Sequence, residues 1–126
     1  MKTCFCGSNL NYAQCCEPFH NGTQHAPTAQ LLMRSRYSAY VLQNADYLLA
    51  TWYKSTRPKE LNFSQENVTW QKLEILHTKK GGEKDDKGRV EFNAFYEQDG
   101  KSLVMHEISR FRKFGGKWFY VDGILD

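Results

Sequence analysis

The fold is decided by residues 89–122, which read RVEFNAFYEQDGKSLVMHEISRFRKFGGKWFYVD. Apolar and polar residues alternate from Arg89 to Glu97, as in a strand with one buried face. Asp99-Gly100 predicts a two-residue hairpin turn, because both residues tolerate a positive φ. A long strand over 102–114, a second turn at Gly115-Gly116 and a last strand over 117–122 then complete an antiparallel meander.

The segment before this meander predicts one further strand. Residues 68–76 alternate loosely, with Leu73 and Ile75 on one face and Trp70 on the other. Residues 79–88, KKGGEKDDKG, are charged and rich in glycine, which favours a solvated loop between this strand and the next.

The region from Thr28 to Pro58 predicts two helices. Thr28 is a suitable N-cap for a helix over 29–44, in which apolar residues recur with helical spacing. Asp46 is the expected cap of a short second helix that includes Trp52 and Tyr53. Pro58 then ends any helical structure that follows this second helix. Two helices followed by about four antiparallel strands indicate an α+β domain with helices packed across one face of a curved sheet.

Length and composition exclude several classes of protein. The chain has 126 residues, 40% of them hydrophobic and 25% charged, which suits one compact globular domain and excludes a disordered or collagen-like chain. The apolar runs are too short for a membrane-spanning helix, so no membrane insertion is expected. The net charge of +3 is too small to indicate a polyanion partner. Residues 3–9 lack the apolar core of a secretory signal, so we expect a cytoplasmic protein with reduced thiols.

The four cysteines all lie within the first 16 residues, as Cys4-x-Cys6 and the adjacent pair Cys15-Cys16. Four thiolates form a complete tetrahedral set for a structural Zn²⁺, provided that the backbone bends at the adjacent pair, for example at a helix terminus. Disulfides are the alternative, although a bridge between adjacent cysteines would be strained. His20 is a substitute ligand in principle, but with four thiolates present we expect it at the surface.

The stretch CFCGSNLNYAQCC, residues 4–16, resembles a SEC-C motif, the zinc-binding knuckle named after the C-terminus of the SecA translocation ATPase. It departs from the usual motif at Phe5, where proline is usual, and at Asn9, where glycine is usual. Neither position is a ligand. The resemblance assigns the four ligand positions to Cys4, Cys6, Cys15 and Cys16.

Further segments are similar to the bacterial YchJ family: LMRSRYSAY at 32–40, YLLATW at 47–52, HEISRF at 106–111 and WFYVDG at 118–123. That resemblance implies a SEC-C-like zinc knuckle over 1–22, joined to a cystatin-like, nuclear-transport-factor-2-like (NTF2-like) domain over 23–126. In such a domain the helices and the curved sheet form a cone.

Three residues of the last two strands are candidates for chemistry inside the cone. Glu107 and Ser109 lie on an otherwise apolar face of their strand, where a carboxyl group could act as a general acid or base. Alternatively, Glu107 pairs with a helix cation such as Arg34 and closes the cone. Asp122 is either a third catalytic candidate or a residue that ends its strand.

Basic residues occur at two places. Arg34 and Arg36 lie on the first helix, and Arg110, Arg112, Lys113 and Lys117 surround the last hairpin. If helix and hairpin approach each other, these residues form a modest cationic patch. Otherwise they are ordinary solvated surface.

These observations predict a cytoplasmic zinc-binding protein that presents its knuckle to a partner. A protein is the favoured partner, and a nucleic acid is the less supported one. The alternative is a small-molecule binder or enzyme that uses the cone, with Glu107, Ser109 and Asp122 as its polar groups. An enzyme is the less favoured reading, because no nucleophile, phosphate-binding or dinucleotide-binding motif occurs in the sequence. The oligomeric state has no signal in the sequence.

Overall fold

The sheet is a four-stranded antiparallel meander. The computed structural model describes residues 3–61, 63 and 67–125. The strands are β1 (Val68–Lys80), β2 (Lys87–Gln98), β3 (Lys101–Phe114) and β4 (Lys117–Leu125), and their order across the sheet is β1-β2-β3-β4. Together with helices on one face, this sheet confirms the α+β, NTF2-like fold class.

Both predicted hairpin turns are confirmed. Asp99 and Gly100 have φ values of 53° and 79°, and Gly115 and Gly116 have φ values of 57° and 80°. Two consecutive residues with positive φ match the right-handed twist of the flanking strands. The short turns therefore fix the register of β3 against both of its neighbours.

Three helices precede the sheet: α1 (Glu17–His20), α2 (Ala29–Leu42) and α3 (Ala45–Ala50). The Thr28 side chain accepts from the Leu31 amide at 3.2 Å, which confirms the predicted cap of α2. The cap of α3 is Asn44, so the assignment of Asp46 as the cap was wrong. The helix ends before Trp52, because this segment turns to pair with the free edge of β4.

The β1–β2 hairpin is longer than its sequence suggested. Residues 79–80 and 87–88 belong to the strands, and only residues 81–86 form the connection. Gly88 is required by close packing, since a Cβ there would lie 2.5 Å from the Cα of Gly81 and 3.1 Å from the Cβ of Ala29. The Ala29 amide also donates to the Gly81 carbonyl at 2.9 Å, which anchors the start of α2 on this hairpin.

A β-bulge changes the face of one tryptophan. The register of β1 against β2 shifts between Trp70 and Lys72, so Gln71 is an extra residue in the strand. Trp70 consequently packs on the same core as Leu73, and its expected position on the opposite face was wrong.

The main core lies between α2 and the inner face of the sheet. Its buried members on α2 are Ala29, Leu32, Met33 and Tyr37, and those on the sheet are Leu73, Val90, Phe92, Ala94, Phe111 and Trp118. In the part of the chain that the structure describes, no helix is both long and apolar enough to cross a membrane.

Candidate functional site

The four cysteines converge on one point. One sulfur from each residue lies within 4.8 Å of all the others, with Sγ–Sγ distances of 3.5 Å for Cys6–Cys15 and 3.8 Å for Cys15–Cys16. A tetrahedral ion with bonds of ~2.3 Å to four sulfurs separates those sulfurs by about 3.8 Å. All four cysteines are free, and none is in a disulfide. The cluster therefore fits a metal ion held by four thiolates.

Local backbone geometry brings the two cysteine pairs together. After Cys6 the chain turns through Gly7 (φ 85°) and Asn9 (φ 67°), and the Cys4 amide then donates to the Leu10 carbonyl at 2.7 Å. A single turn of 3₁₀ helix, Tyr12–Gln14, leads into the second pair. Cys16 is the N-cap residue of α1, so the backbone bends at a helix terminus as the adjacent cysteines required.

Burial and crowding shift the pKa values of Cys4, Cys15 and Cys16 in different directions. The four side chains are at most 8% exposed. Hydrogen bonds from Cys16 and Cys6 lower the pKa of Cys4, whereas the hydrogen bond with Cys4 raises the pKa of Cys16. Burial raises the pKa of Cys15 to about 11. Four thiolates packed this closely need a cation to compensate their charge.

Helix α2 makes polar contacts with the cysteine cluster, and the sequence did not predict these contacts. The buried Ser38 hydroxyl donates to Cys16 Sγ at 3.4 Å and lies 3.5 Å from Cys4 Sγ. Arg34 Nη1 donates to the Cys6 carbonyl at 2.6 Å. Residues 34 and 38 are one helical turn apart, so both face the knuckle, which we define as residues 3–22. Their spacing on α2 was the only sequence signal for this contact.

His20 also joins the knuckle to α2, and its predicted surface position was wrong. The imidazole Nε2 lies 2.8 Å from the Ser35 carbonyl, so Nε2 carries the proton that it donates. Nδ1 of the neutral ring then accepts from the Tyr12 hydroxyl at 2.6 Å. Burial lowers the pKa of His20, which favours this neutral form. The ring therefore has a structural role and is not a metal ligand in this arrangement.

A cavity of about 190 Å³ lies between α2 and the sheet. Glu107 and Ser109 both line this cavity, as the alternation of β3 predicted. The Ser109 hydroxyl donates to Glu107 Oε2, and the Tyr120 hydroxyl donates to the same oxygen at 3.3 Å. A catalytic role for either residue stays a prediction.

The cation in this cavity is Arg36 rather than Arg34. Arg36 is 2% exposed, and its guanidinium carbon lies 4.9 Å from the Trp52 ring centroid and 4.6 Å from that of Tyr120. Its Nη1 donates to the Leu48 carbonyl at 2.8 Å. Within the described residues, Glu107 has no ion-pair partner, so the suggested pairing with Arg34 is not formed.

The helix arginines and the last hairpin do not form the cationic patch that was conditional on their approach. Arg34 is hydrogen-bonded to the knuckle, and Arg36 points into the protein.

Asp122 is separate from the cavity residues: it pairs with Arg110 on the outer face of the sheet, with N–O distances of 2.6 and 2.5 Å. Hydrogen bonds from Arg110 lower the pKa of Asp122. The structure thus brings Glu107 and Ser109 together and leaves Asp122 outside.

Comparison with protein families and solved structures agrees with both parts of this description. Residues 2–18 match the model of the SEC-C motif, and residues 28–123 match the model of the middle, NTF2-like domain of YchJ. The solution structure of a SEC-C motif-containing protein from Rhodopseudomonas palustris is similar, with a TM-score of 0.87 at 32% identity over 98% of both chains. The crystal structure of a SEC-C motif-containing protein from Psychrobacter arcticus has a TM-score of 0.81 at 26% identity, over 100% of this chain and 84% of the other.

Curated relatives match over most of their length. A UPF0225 protein of Corynebacterium efficiens is 48% identical over 93% of this chain and 88% of its own. A UPF0225 protein of Chromobacterium violaceum is 46% identical over 97% of this chain and 92% of its own. The chain therefore belongs to the YchJ family, with a SEC-C motif ahead of its NTF2-like domain.

Proposed function

We propose that the protein is a zinc-binding interaction module whose Zn²⁺ is structural. The observation that carries this proposal is the convergence of four free, buried cysteine sulfurs within 4.8 Å of one another. Zinc favours a tetrahedral site of four thiolates, and such a site leaves no position open for water or substrate. The metal would therefore organise the chain and take no part in catalysis.

The metal has a structural task in this fold. In the knuckle, the buried hydrophobic cluster consists of the four cysteines themselves, with Tyr12 packed against it. Zinc binding to such a site contributes on the order of 10 kcal/mol of folding free energy. Because Arg34 and Ser38 connect the cluster to α2, part of this stabilisation reaches the NTF2-like domain. The division into units at 1–22 and 23–126 stays a prediction.

The proposed partner is a protein that contacts the outer side of the knuckle. Phe5 is 38% exposed and Leu10 is 52% exposed, although both are large apolar residues on a loop held by the cluster. A rigid loop with exposed apolar side chains loses little entropy when it binds. The reduced cytoplasm, where thiols persist, is the compartment that suits this site.

A site-specific photo-crosslinking experiment tests the partner. A photoreactive phenylalanine analogue replaces Leu10 in one chain and the exposed Lys59 in a matched control chain. We expect a discrete crosslinked protein from the Leu10 position, lost when Phe5 is changed to Ser while the zinc content is kept. Equal crosslinking from both positions, or a product insensitive to Phe5→Ser, would contradict the proposal.

The cone cavity supports a second candidate function, the binding of a small molecule. The cavity of about 190 Å³ places the Glu107 carboxylate and the Arg36 guanidinium among aromatic walls that include Tyr37 and Trp70. Polar groups that converge in an apolar pocket are typical of ligand sites. Ligand-observed NMR with a panel of small heteroaromatic amides tests it: we expect hits that Ser109→Val abolishes, and a panel without hits would remove this candidate.

A further inference from the structure

A row of like charges crosses the outer face of the sheet. Lys79 of β1 is directly opposite Arg89 of β2, which is directly opposite Arg110 of β3. Lys87 is opposite Arg112 in the adjacent row of the same face. We call these five exposed residues the basic strip: Lys79, Lys87, Arg89, Arg110 and Arg112.

This arrangement contradicts the usual rule for sheet stability. Like charges directly opposite each other on neighbouring strands destabilise a sheet, and the strip contains three such pairs. Strand geometry places the backbone positions of all five residues within about 12 Å of one another. Elsewhere on the same face the partners are complementary: His106 Nε2 lies 2.7 Å from Glu91 Oε2, and Asn93 donates to Glu74 at 3.3 Å.

Among the acidic residues that the structure describes, only Asp122 neutralises a member of the strip. Arg110 pairs with Asp122, whereas Lys79, Lys87, Arg89 and Arg112 have no ion pair with any residue that the structure describes. Without the strip and Asp122, the rest of the chain has 12 Lys and Arg against 13 Asp and Glu, so it has no excess of positive charge. The positive charge of the protein is therefore concentrated on this one surface, although its overall charge is small.

The strip is the wall of a groove with an aromatic end. All five cations line a single groove of about 440 Å³, and Tyr53 lines it as well. The Tyr53 ring stacks on Phe114 with 5.2 Å between centroids and an interplanar angle of 20°. Phe114 is 43% exposed, so this pair presents aromatic surface beside the charges.

We propose that the basic strip binds single-stranded nucleic acid, with its cations on the phosphates and the Tyr53–Phe114 pair as a platform for a base. A cationic groove combined with exposed aromatic rings is the arrangement that binds single strands without sequence preference. Binding of a single strand to the strip requires neither the metal nor the protein partner proposed above.

Fluorescence anisotropy tests the proposal. A fluorescein-labelled 12-nucleotide RNA of mixed sequence is titrated with the full chain, which is purified without chelator. If each of the four unpaired strip cations contacts one phosphate, log Kobs falls with log[salt] with a slope of about −2.8. In the triple variant Lys87→Gln, Arg89→Gln, Arg112→Gln, we expect at least a tenfold loss of affinity and a slope that is smaller in magnitude by about 2. Tyr53→Leu should weaken binding about fivefold and leave the slope unchanged.

A control triple variant has the same charge change outside the strip: Lys59→Gln, Lys72→Gln, Lys101→Gln. We expect its RNA affinity to stay within about twofold of the unchanged chain. The strip variant should also have an equal or higher melting temperature, because it removes the repulsive pairs. No binding at 50 mM salt, an equal loss in the control variant, or tighter binding of polyglutamate, of anionic vesicles or of a duplex formed from the same RNA and its complement would each overturn the proposal.

Discussion

The hydroxyl of Ser38 donates a hydrogen bond to the sulfur of Cys16 at 3.4 Å, across the boundary between α2 and the knuckle. Both residues are almost fully buried, with exposures of 0% and 1%. A donor at this position stabilises the thiolate form of Cys16, which is the form that binds metal. The helix of the NTF2-like domain therefore contributes directly to the electrostatics of the cysteine cluster.

Replacing Ser38 with Ala should weaken metal binding by about tenfold, because the thiolate loses its donor and the cluster loses a contact that orients it. The affinity is measured by competition with a chromophoric chelator. Ser55→Ala, at an exposed position, is the control and should leave the affinity unchanged. Equal affinities for the two variants would show that Ser38 does not support the site.

Metal removal should destabilise α2 as well as the knuckle. Arg34 and Ser38 both bond to the cysteine loop, so the loss of that loop removes a hydrogen bond from each of these two side chains of α2. We expect chelator treatment to lower the thermal midpoint and to speed amide hydrogen exchange in α2 more than in β3. If only residues 3–22 exchange faster, the knuckle is energetically independent of the domain.

Arg36→Lys should lower the free energy of unfolding by about 2 kcal/mol, since an ammonium group cannot contact both aromatic rings and also keep the hydrogen bonds of the guanidinium. In the native chain that group lies against Trp52 and Tyr120 and donates to the Leu48 carbonyl. Urea unfolding measures the change. The exposed Arg57→Lys provides the comparison, and similar values for both would argue against a buried structural role for Arg36.

Asp122 should titrate below its ordinary range because Arg110 hydrogen-bonds its carboxylate. A carboxyl group whose pKa is lowered on folding stabilises the fold above its unfolded pKa, and this contribution is lost as the pH falls toward the folded pKa. The effect on stability should be small because the side chain is 44% exposed. Carboxyl ¹³C NMR should show the pKa of Asp122 rising in Arg110→Gln, and an unchanged value would exclude the ion pair in solution.

Local patterns were sufficient for the parts of the fold that depend on short stretches of chain. The hairpins at Asp99-Gly100 and Gly115-Gly116 follow from residues that accept positive φ, and the burial of Ser109 and Phe111 follows from simple alternation along β3. The clustering of the cysteines followed from their number and spacing, because few other arrangements use four thiols within 16 residues.

The remaining features depend on contacts between distant segments. The bulge at Gln71 places Trp70 in the core, and alternation alone cannot locate an inserted residue. Arg36 resembles any helix-surface arginine until Trp52 and Tyr120 are folded around it. The basic strip likewise appears only once register aligns Lys79, Arg89 and Arg110, which are 10 or more residues apart in the chain.

The most direct test of the central claim is the zinc content per chain, determined by elemental analysis of protein purified without chelator, together with a count of reactive thiols. We expect one zinc per chain and four thiols that react only after the metal is removed or the protein is denatured. A chain with no metal and four thiols that react at once, while the protein remains folded, would contradict the proposed zinc site.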